Sequence, residues 1–222
     1  MKSDPSVKPR IPLNRQRIFR AAVHVADERG IESLTMRTLG EELRVEAMSL
    51  YHYVANKDEL LDGLVDLIYG EIELPSGEAD WKSAIRRVAT SAHQALSRHR
   101  WAITLMQSRT RPGPASLRNR DSVLRTFREA GFSIKQATHA FSVLDSYISG
   151  FALQQLAMPF ESSEELTKAA ESILAQFPAD QYPYLAETIT EHVTKSGYDY
   201  SDEFDVGLDL ILDGIERLRD TA

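Results

Sequence analysis

The stretch that decides the fold covers residues 35–61 and reads TMRTLGEELRVEAMSLYHYVANKDELL. Thr35 is a favourable helix N-cap. Leu39 and Leu43 stand four residues apart, which places both on one face of a short helix that begins after Thr35. The polar segment of residues 44–46 is too short for anything but a turn.

A second short helix is predicted from about Glu46 to Tyr53, and Asn56 then caps a third helix. Glu59 stands three residues after Asn56, where a glutamate can complete a capping box. Two helices joined by a turn of three or four residues form a helix–turn–helix, whose second helix can enter the major groove of DNA. The sequence therefore predicts a DNA-binding unit here.

The composition of the second short helix fits this role. Val45, Leu50 and Val54 are enough to hold it against a small core. Its other faces carry Ala47, Met48, Ser49, Tyr51, His52 and Tyr53. Small residues allow a close approach to DNA, and hydroxyl or imidazole groups can bond to phosphates or base edges. The alternative is that the aromatic residues only rim a helical hairpin.

The segment SLYHYVANKDELL at residues 49–61 resembles the signature around the recognition helix of the tetracycline-repressor (TetR) family. GIESLTMRTLGEEL at residues 30–43 also resembles that family, and the match covers about residues 15–65 in unbroken order. One departure is Arg44, which stands where many members have glycine. The resemblance implies an all-α fold, with an N-terminal three-helix helix–turn–helix domain and a larger C-terminal helical domain for ligand binding and dimerisation.

The expected DNA contacts follow from this placement. Arg37, at the start of the first short helix, is placed to reach a base or a phosphate, and Thr35 can add a phosphate hydrogen bond. Lys57 is expected to contact a phosphate with the help of the helix dipole. The recognition helix contributes the other contacts, from Ala47, Met48, Ser49, Tyr51, His52 and Tyr53.

Composition narrows the class of protein. A chain of 222 residues is long enough for one or two domains, and the absence of cysteine excludes disulfides and thiol chemistry. No stretch approaches the roughly 18 apolar residues of a membrane span, and the N-terminus does not read as a signal peptide. We therefore expect a cytoplasmic protein with no membrane partner.

Charge is distributed unevenly along the chain. The net charge of −7 argues against a protein that coats nucleic acid, yet residues 1–20 hold six basic residues against one acidic residue. Residues 1–13 also carry three prolines and no periodic apolar face, so we expect a flexible basic arm. Beside a helix–turn–helix, this arm is expected to contact phosphates; the alternative is that it only aids solubility.

The domain boundaries follow from turn-forming residues. The DNA-binding domain is predicted over residues 14–74, where Asn14 caps the first helix and the helix after Asn56 serves as a link to the next domain. Pro75, Ser76 and Gly77 mark the boundary. Residues 78–222 are expected to form the C-terminal effector-binding and dimerisation domain, with a long helix up to about Ala157 and a last helix from about Asp202 to Arg219.

The last helix has a second surface to bury. Gly207 and Gly214 bracket Ile211, with Leu210 nearby, and each helical glycine costs about 1 kcal/mol relative to alanine. Two such residues indicate close helix approach, and in the resembling family this helix and an earlier long helix form a four-helix dimer bundle. The implied homodimer interface contains Gly207, Leu210, Ile211, Gly214 and Ile215. The alternative is that the glycines have no packing role.

The C-terminal part resembles tetracycline-type repressors in DWKSAI at residues 80–85, TRP at 110–112, GFAL at 150–153 and the last helix. In those repressors a histidine three residues before TRP ligates the drug's magnesium, and Gln107 stands there in this chain. We therefore expect an uncharged or apolar organic effector. The candidate lining residues, each of which could equally be core, are Trp101, Leu105, Met106, Phe127, His139, Phe141, Phe151 and Gln154.

An enzyme is an alternative class of function, and the sequence lacks the common catalytic motifs. The six histidines form no HExxH motif, and the sequence contains no GxSxG, P-loop or GxGxxG. No cofactor or metal is expected. The chain is therefore predicted to be a dimeric regulator, most simply a repressor, released from double-stranded operator DNA by a small organic effector. The alternative is a helical small-molecule-binding protein or enzyme whose helix–turn–helix has been over-interpreted.

Overall fold

A computed structural model describes residues 12–76, 80–160, 162–195 and 197–220. Within these ranges the chain forms α-helices and no strand, which confirms the all-α prediction. The helices are α1 (Arg15–Arg29), α2 (Met36–Leu43), α3 (Ala47–Leu50), α4 (Lys57–Glu71), α5 (Trp81–Arg98), α6 (Ala102–Ser108), α7 (Pro114–Glu129), α8 (Ile134–Ala157), α9 (Ser163–Leu174), α10 (Pro183–Thr188) and α11 (Asp202–Asp220).

The chain divides into two compact units. The first contains the described residues up to Ile72 together with Ala95–Arg120, and the second contains Glu73–Gln94 together with the described residues from Asp121 onward. The sequence analysis predicted a single domain boundary, at residues 75–77. It did not predict that Ala95–Arg120 groups with the N-terminal helices. The functional domains at residues 14–74 and 78–222 stay predictions.

The first unit is built on local signals that the sequence carries. The side chain of Asn14 caps α1 by accepting a hydrogen bond from the backbone N–H of Arg17 at 2.8 Å, and Gly30 ends the helix with φ of 79°. Helices α1, α2 and α4 then enclose a core of fully buried apolar side chains: Ile18, Ala22, Leu34, Leu39, Leu50, Leu60, Leu64 and Ile68.

The second unit is organised by α5, α8 and α11. Asp80 caps α5 by accepting from the backbone N–H of Ser83 at 3.0 Å, and Ser133 caps α8 by accepting from the backbone N–H of Gln136 at 3.2 Å. Tyr147 on α8 donates a hydrogen bond to the carbonyl oxygen of Phe204 on α11 at 2.8 Å. These bonds tie the long helix to the last helix of the same chain.

Some predicted boundaries need correction. The link helix α4 ends at Glu71, because Ile72 leaves the helical conformation, with ψ of 127°, before the prolyl segment is reached. The predicted basic arm lies outside the described residues except for its last two positions, and Gly77 of the boundary is also outside them. In the part of the chain that is described, we found no helix long and apolar enough to cross a membrane.

Candidate nucleic-acid interface and effector region

The turn between α2 and α3 is constrained at two positions. Arg44 is the one non-glycine residue with positive φ among the described residues, at 56°. This left-handed conformation costs an ordinary residue about 1–2 kcal/mol, which explains why glycine suits the position. At Gly40, an added Cβ would lie 2.9 Å from the carbonyl oxygen of Val45 and 3.2 Å from the amide nitrogen of Ala47. Gly40, which the sequence analysis did not select, therefore lets α2 pack on the backbone of the turn.

The recognition helix is shorter than predicted. Helix α3 ends at Leu50, and Tyr51, His52 and Tyr53 form turns instead of helix. The backbone tightens there, because the N–H groups of Tyr51 and Tyr53 bond to carbonyl oxygens three residues back instead of four. The predicted helical end at Tyr53 is therefore wrong, and the three aromatic residues lie on a turn that follows a single helical turn.

The predicted DNA contacts are accessible. Leu50 and Val54 are buried and anchor the segment, whereas Met48 is 74% exposed, Tyr51 44% and Tyr53 37%. The side chains of Thr35, Arg37, His52 and Lys57 are also exposed, and Ala47 and Ser49 are half-buried. Arg37 forms an ion pair with Glu41 at 3.0 Å, which a phosphate would have to displace. Contact of these nine residues with DNA stays a prediction.

The start of α4 differs in one detail from the predicted capping box. Asn56 accepts a hydrogen bond from the backbone N–H of Glu59 at 2.8 Å, as expected for an N-cap. The reciprocal bond is displaced by one residue, because the Glu59 carboxylate accepts from the N–H of Ala55 at 2.7 Å. Glu59 therefore holds the residue that directly follows the buried Val54.

Helix α4 carries three carboxylates at intervals of four residues, which place Asp58, Asp62 and Asp66 on one face. Arg109 donates from Nε to Asp62 at 2.6 Å and from Nη1 to Asp58 at 3.0 Å. Asp66 Oδ1 accepts from the backbone N–H groups of Ala115 and of the next residue, each at 2.9 Å. Asp66 thereby caps the start of α7, and the segment between α6 and α7 is fastened to α4. The sequence contains the interval of four, but nothing local identifies the partners.

Two aspartates of α4 affect the pKa of Arg109. The hydrogen bond to Asp62, and to a smaller extent the one to Asp58, raises the pKa of the Arg109 guanidinium, which is charged at every physiological pH. Asp62 and Arg109 are each only about one-fifth exposed, at 18% and 21%, whereas Asp58 is 78% exposed. The pair with Asp62 is therefore the better shielded of the two.

Trp101 was predicted to line an effector pocket, and the structure gives it a different environment. Its indole N–H donates to Asp27 of α1 at 2.6 Å, and the side chain is buried in the first unit. His99 bonds to the same Asp27 carboxylate at 2.8 Å and to Glu71 at 3.2 Å. This network links α1, the end of α4 and the segment before α6, so the contacts of Trp101 are those of a structural residue.

The other predicted effector residues differ in their surroundings. Leu105 and Met106 are half-buried on α6 in the first unit. In the second unit, Phe127 is fully buried and its ring lies 5.2 Å from that of Phe132, which is ordinary core packing. His139 is exposed and Phe141 half-buried. Packing within its own unit therefore accounts for Phe127, and an effector-lining role for the other candidates stays a prediction.

Two of the predicted effector residues do meet. The ring of Phe151 stacks on that of Tyr200 at 5.1 Å, and Gln154 accepts a hydrogen bond from the Tyr200 hydroxyl at 3.0 Å. His93 stacks on Phe204 at 4.1 Å in the same cluster. The second unit thus brings together aromatic faces and polar side chains from α5, α8 and the start of α11, although their role in binding stays a prediction.

The second unit contains cavities away from the predicted effector residues. One of about 580 Å³ lies between α9 and the residues Thr194, Lys195, Gly197, Tyr198 and Asp199. Another of about 480 Å³ is lined by Trp81, Arg125 and Arg219 among others. Neither is lined by any of the eight predicted residues, so neither supports that assignment.

The predicted dimer residues divide into two groups. Gly207 and Ile215 face the interior: a Cβ on Gly207 would lie 2.7 Å from Cζ of Tyr147, and Ile215 is buried in its own chain. Packing within the chain accounts for both contacts, and the assignment of these two residues to a dimer interface stays a prediction. Leu210 is 68% exposed, Ile211 is half-buried, and Gly214 has only the end of a flexible arginine within 4 Å of an added Cβ.

A helix–turn–helix unit followed by a larger helical unit defines a DNA-binding regulatory protein, and comparison with known families agrees. Residues 18–64 match the model described as bacterial regulatory proteins, tetR family, and residues 74–219 match the tetracyclin repressor-like C-terminal domain. The chain belongs to the tetR family of bacterial regulatory proteins. This confirms the family that the sequence resembles.

Individual relatives extend this result over nearly the whole chain. The transcriptional repressor DrrR1 of Streptomyces coeruleorubidus is 33% identical over 96% of this chain and 81% of its own length. The class C tetracycline repressor of Escherichia coli is 30% identical over 95% of this chain and 94% of its own.

Solved structures show the same similarity in three dimensions. SCO7222, a TetR of Streptomyces coelicolor, superposes with a TM-score of 0.79 at 30% identity, covering 94% of this chain and 100% of that one. ActR of the same organism, crystallised in complex with actinorhodin, superposes with a TM-score of 0.74 at 26% identity, covering 93% and 98%.

Proposed function

We infer that this protein is a transcriptional repressor that binds operator DNA and responds to a small-molecule ligand. The observation that carries this inference is the helix–turn–helix at residues 36–50 with its outward-facing side chains, within a chain that repressors match over nearly its full length. A protein that only binds DNA would not need a second, larger helical unit, and we propose that this unit binds the ligand.

On the DNA side, we propose that Met48, Tyr51 and Tyr53 contact bases or phosphates in the major groove. Apolar and hydroxyl side chains can meet thymine methyl groups and phosphates respectively. Lys57 is proposed as a phosphate contact because it opens α4, where the helix dipole favours an anion. Thr35 and Arg37, with Ala47, Ser49 and His52, complete the proposed surface.

A homodimer is the form in which this surface would read DNA. One short recognition segment contacts too few base pairs for useful affinity, and a two-fold dimer reads two half-sites. Support comes from apolar side chains that remain exposed on α8 and α11, namely Ile134, Val143, Leu153, Val206 and Leu210. Gly214 lies on α11 with space above its Cα, which permits close approach of a second helix.

The effector is proposed to be a small organic molecule. ActR in the solved complex binds actinorhodin, and the class C relative is a tetracycline repressor. Because Gln107 stands at the position where tetracycline repressors use a histidine to ligate magnesium, we expect binding here without a metal. The cluster around Phe151 and Gln154 offers aromatic faces beside amide groups, which suits an aromatic ligand with polar substituents.

We further propose that α4 transmits the effector signal. Arg109 and Asp66 fasten the segment after α6 to α4 within one compact unit, and α4 starts beside the recognition segment. A ligand that shifted this segment would therefore move α4 from its DNA-binding position to a second position. The ligand can change the populations of these two positions of α4 only if it binds the protein with different affinity in each.

A substitution at Tyr51 tests the DNA assignment. Tyr51→Ala is expected to weaken operator binding by about 1–3 kcal/mol, roughly 5- to 150-fold. Tyr184→Ala is the matched control, because this substitution removes the same kind of side chain from α10, where Tyr184 is 81% exposed. Binding would be followed by fluorescence anisotropy, and dimerisation by sedimentation. Equal operator affinity in the two variants would remove the recognition assignment.

A further inference from the structure

The segment that reads DNA has little regular structure of its own. Helix α3 is four residues long, and Tyr51–Tyr53 follow it as turns. A helix of one turn is not stable alone, because nucleation costs more than one turn of hydrogen bonds returns. Leu50 and Val54 anchor the segment to the core but leave the backbone of Tyr53 and Ala55 to be held by other groups.

Two charged side chains hold that backbone. Arg15 of α1 donates from Nη1 to the carbonyl oxygen of Tyr53 at 2.9 Å and to Glu59 Oε1 at 2.7 Å. The other oxygen of Glu59 accepts from the backbone N–H of Ala55 at 2.7 Å. The ion pair therefore bonds to the main chain on both sides of Val54, through one carbonyl oxygen and one N–H.

Further contacts orient the pair. The guanidinium of Arg15 lies 5.0 Å from the centre of the Phe19 ring, within the range of a cation–π contact. The N–H of Ala55, followed by the hydrogen bond from Arg15, lowers the pKa of the Glu59 carboxyl. Glu59 is consequently an anion throughout the physiological range, and both of its oxygens act as acceptors.

We propose that Arg15 and Glu59 are positioning residues for DNA recognition, which fix the main chain of the reading segment so that Tyr51 and Tyr53 meet the groove in one orientation. This inference rests on the proposed function and adds to it two residues that act through the segment. Preorganisation of this kind lowers the conformational cost of binding a specific site.

The sign of the effect separates this role from simple electrostatics. An acidic side chain beside DNA repels phosphates, so its removal alone should strengthen binding to every duplex. If Glu59 instead positions the reading segment, its removal weakens binding to the specific site and leaves binding to random DNA equal or stronger. No purely electrostatic role of a glutamate gives that combination.

The experiment compares full-length variants on two duplexes, one selected by the wild-type protein from a random pool and one of unrelated sequence. Glu59→Ala is expected to bind the selected duplex roughly tenfold more weakly, a change of about 1.4 kcal/mol. Glu59→Gln should fall between the wild type and Glu59→Ala, because a glutamine oxygen can still accept from Ala55. Glu46→Ala is the control, since Glu46 is an exposed acid next to α3 whose side chain makes no capping bond.

A second readout does not depend on DNA. Amide hydrogen exchange of Ala55 in the free protein should accelerate in Glu59→Ala and in Arg15→Ala but not in Glu46→Ala, at equal melting temperature. If Glu59→Ala binds the selected duplex as tightly as Glu46→Ala does, or if Ala55 exchange is unchanged, the positioning role is excluded. If the wild type selects no sequence, the proposed function itself fails, and the inference with it.

Discussion

Replacement of Gly207 by alanine tests the contact that sets the position of the last helix. The Cα of Gly207 faces Tyr147 of α8, and a Cβ there would lie 2.7 Å from Cζ and 3.0 Å from Cε2 of the ring. The same tyrosine donates to the carbonyl oxygen of Phe204 at 2.8 Å. An alanine cannot be accommodated unless the ring moves, and movement of the ring lengthens that hydrogen bond.

The expected magnitude combines three effects. Overpacking costs about 1–3 kcal/mol, and loss of the hydrogen bond costs about 1 kcal/mol. Alanine returns about 1 kcal/mol through its higher helix propensity. Gly207→Ala should therefore lower the free energy of unfolding by about 1–3 kcal/mol. For a chain of this size the melting temperature should fall by about 2–12 °C.

Gly214→Ala is the control in the same helix. An added Cβ at Gly214 meets only Nη2 of Arg217 at 3.8 Å, so the folded chain should gain up to about 1 kcal/mol from helix propensity. If Gly214 lies at the proposed dimer interface, the variant should also dissociate more readily. Both variants would be melted at one fixed protein concentration and analysed by sedimentation. A melting temperature for Gly207→Ala at or above that of the wild type would refute the packing of α8 on α11.

Three further predictions concern the helix–turn–helix, the link helix and the cap of α5. Gly40→Ala should lower the free energy of unfolding by about 1–3 kcal/mol and abolish operator binding, because the new Cβ meets backbone atoms that cannot rotate away; unchanged stability in urea denaturation would contradict this. Arg109→Ala should cost about 2 kcal/mol in urea denaturation, against under about 1 kcal/mol for Asp58→Asn, because the pair with Asp62 is shielded and Asp58 is mostly exposed; equal losses would exclude the shielded pair. Hydrogen bonds from the backbone N–H and, to a smaller extent, the hydroxyl of Ser83 lower the pKa of Asp80. The stability that the Asp80 carboxylate contributes is therefore complete above the ordinary aspartate pKa of about 3.9, and it is lost as pH falls through the lower pKa of the folded state. The stability difference between wild type and Asp80→Ala should therefore shrink below about pH 4, and a difference that grew on acidification would contradict the assignment.

The sequence was informative where a structural signal lies within four residues. The caps at Asn14, Thr35, Ser133 and Ser162 were all predictable, because each bond joins a side chain to an N–H three positions later. The departure at Arg44, where many members of the family have glycine, coincides with the left-handed backbone that the structure shows there. Asn56 was predicted to cap α4, and its side chain does so.

Prediction failed where the partner is distant in the chain. Nothing near Gly207 reveals that it faces Tyr147, 60 positions earlier, and nothing near Asp62 identifies Arg109. The end of α3 was misplaced because aromatic residues suit a helix or a turn equally, and tertiary contacts decide between them. Periodicity alone could not separate a lining residue from a core residue, since a buried Phe127 has the same periodicity whether it meets a ligand or another ring.

The central claim is that this chain is a sequence-specific, salt-sensitive DNA-binding repressor. The most direct measurement is the affinity of the purified protein for DNA flanking its own coding region, titrated over a series of salt concentrations beside random DNA. We predict site-specific binding, with one dimer per protected site and an affinity that falls steeply as salt rises. Binding to the flanking DNA and to a pool of genomic fragments that is no tighter than binding to random DNA would contradict the account.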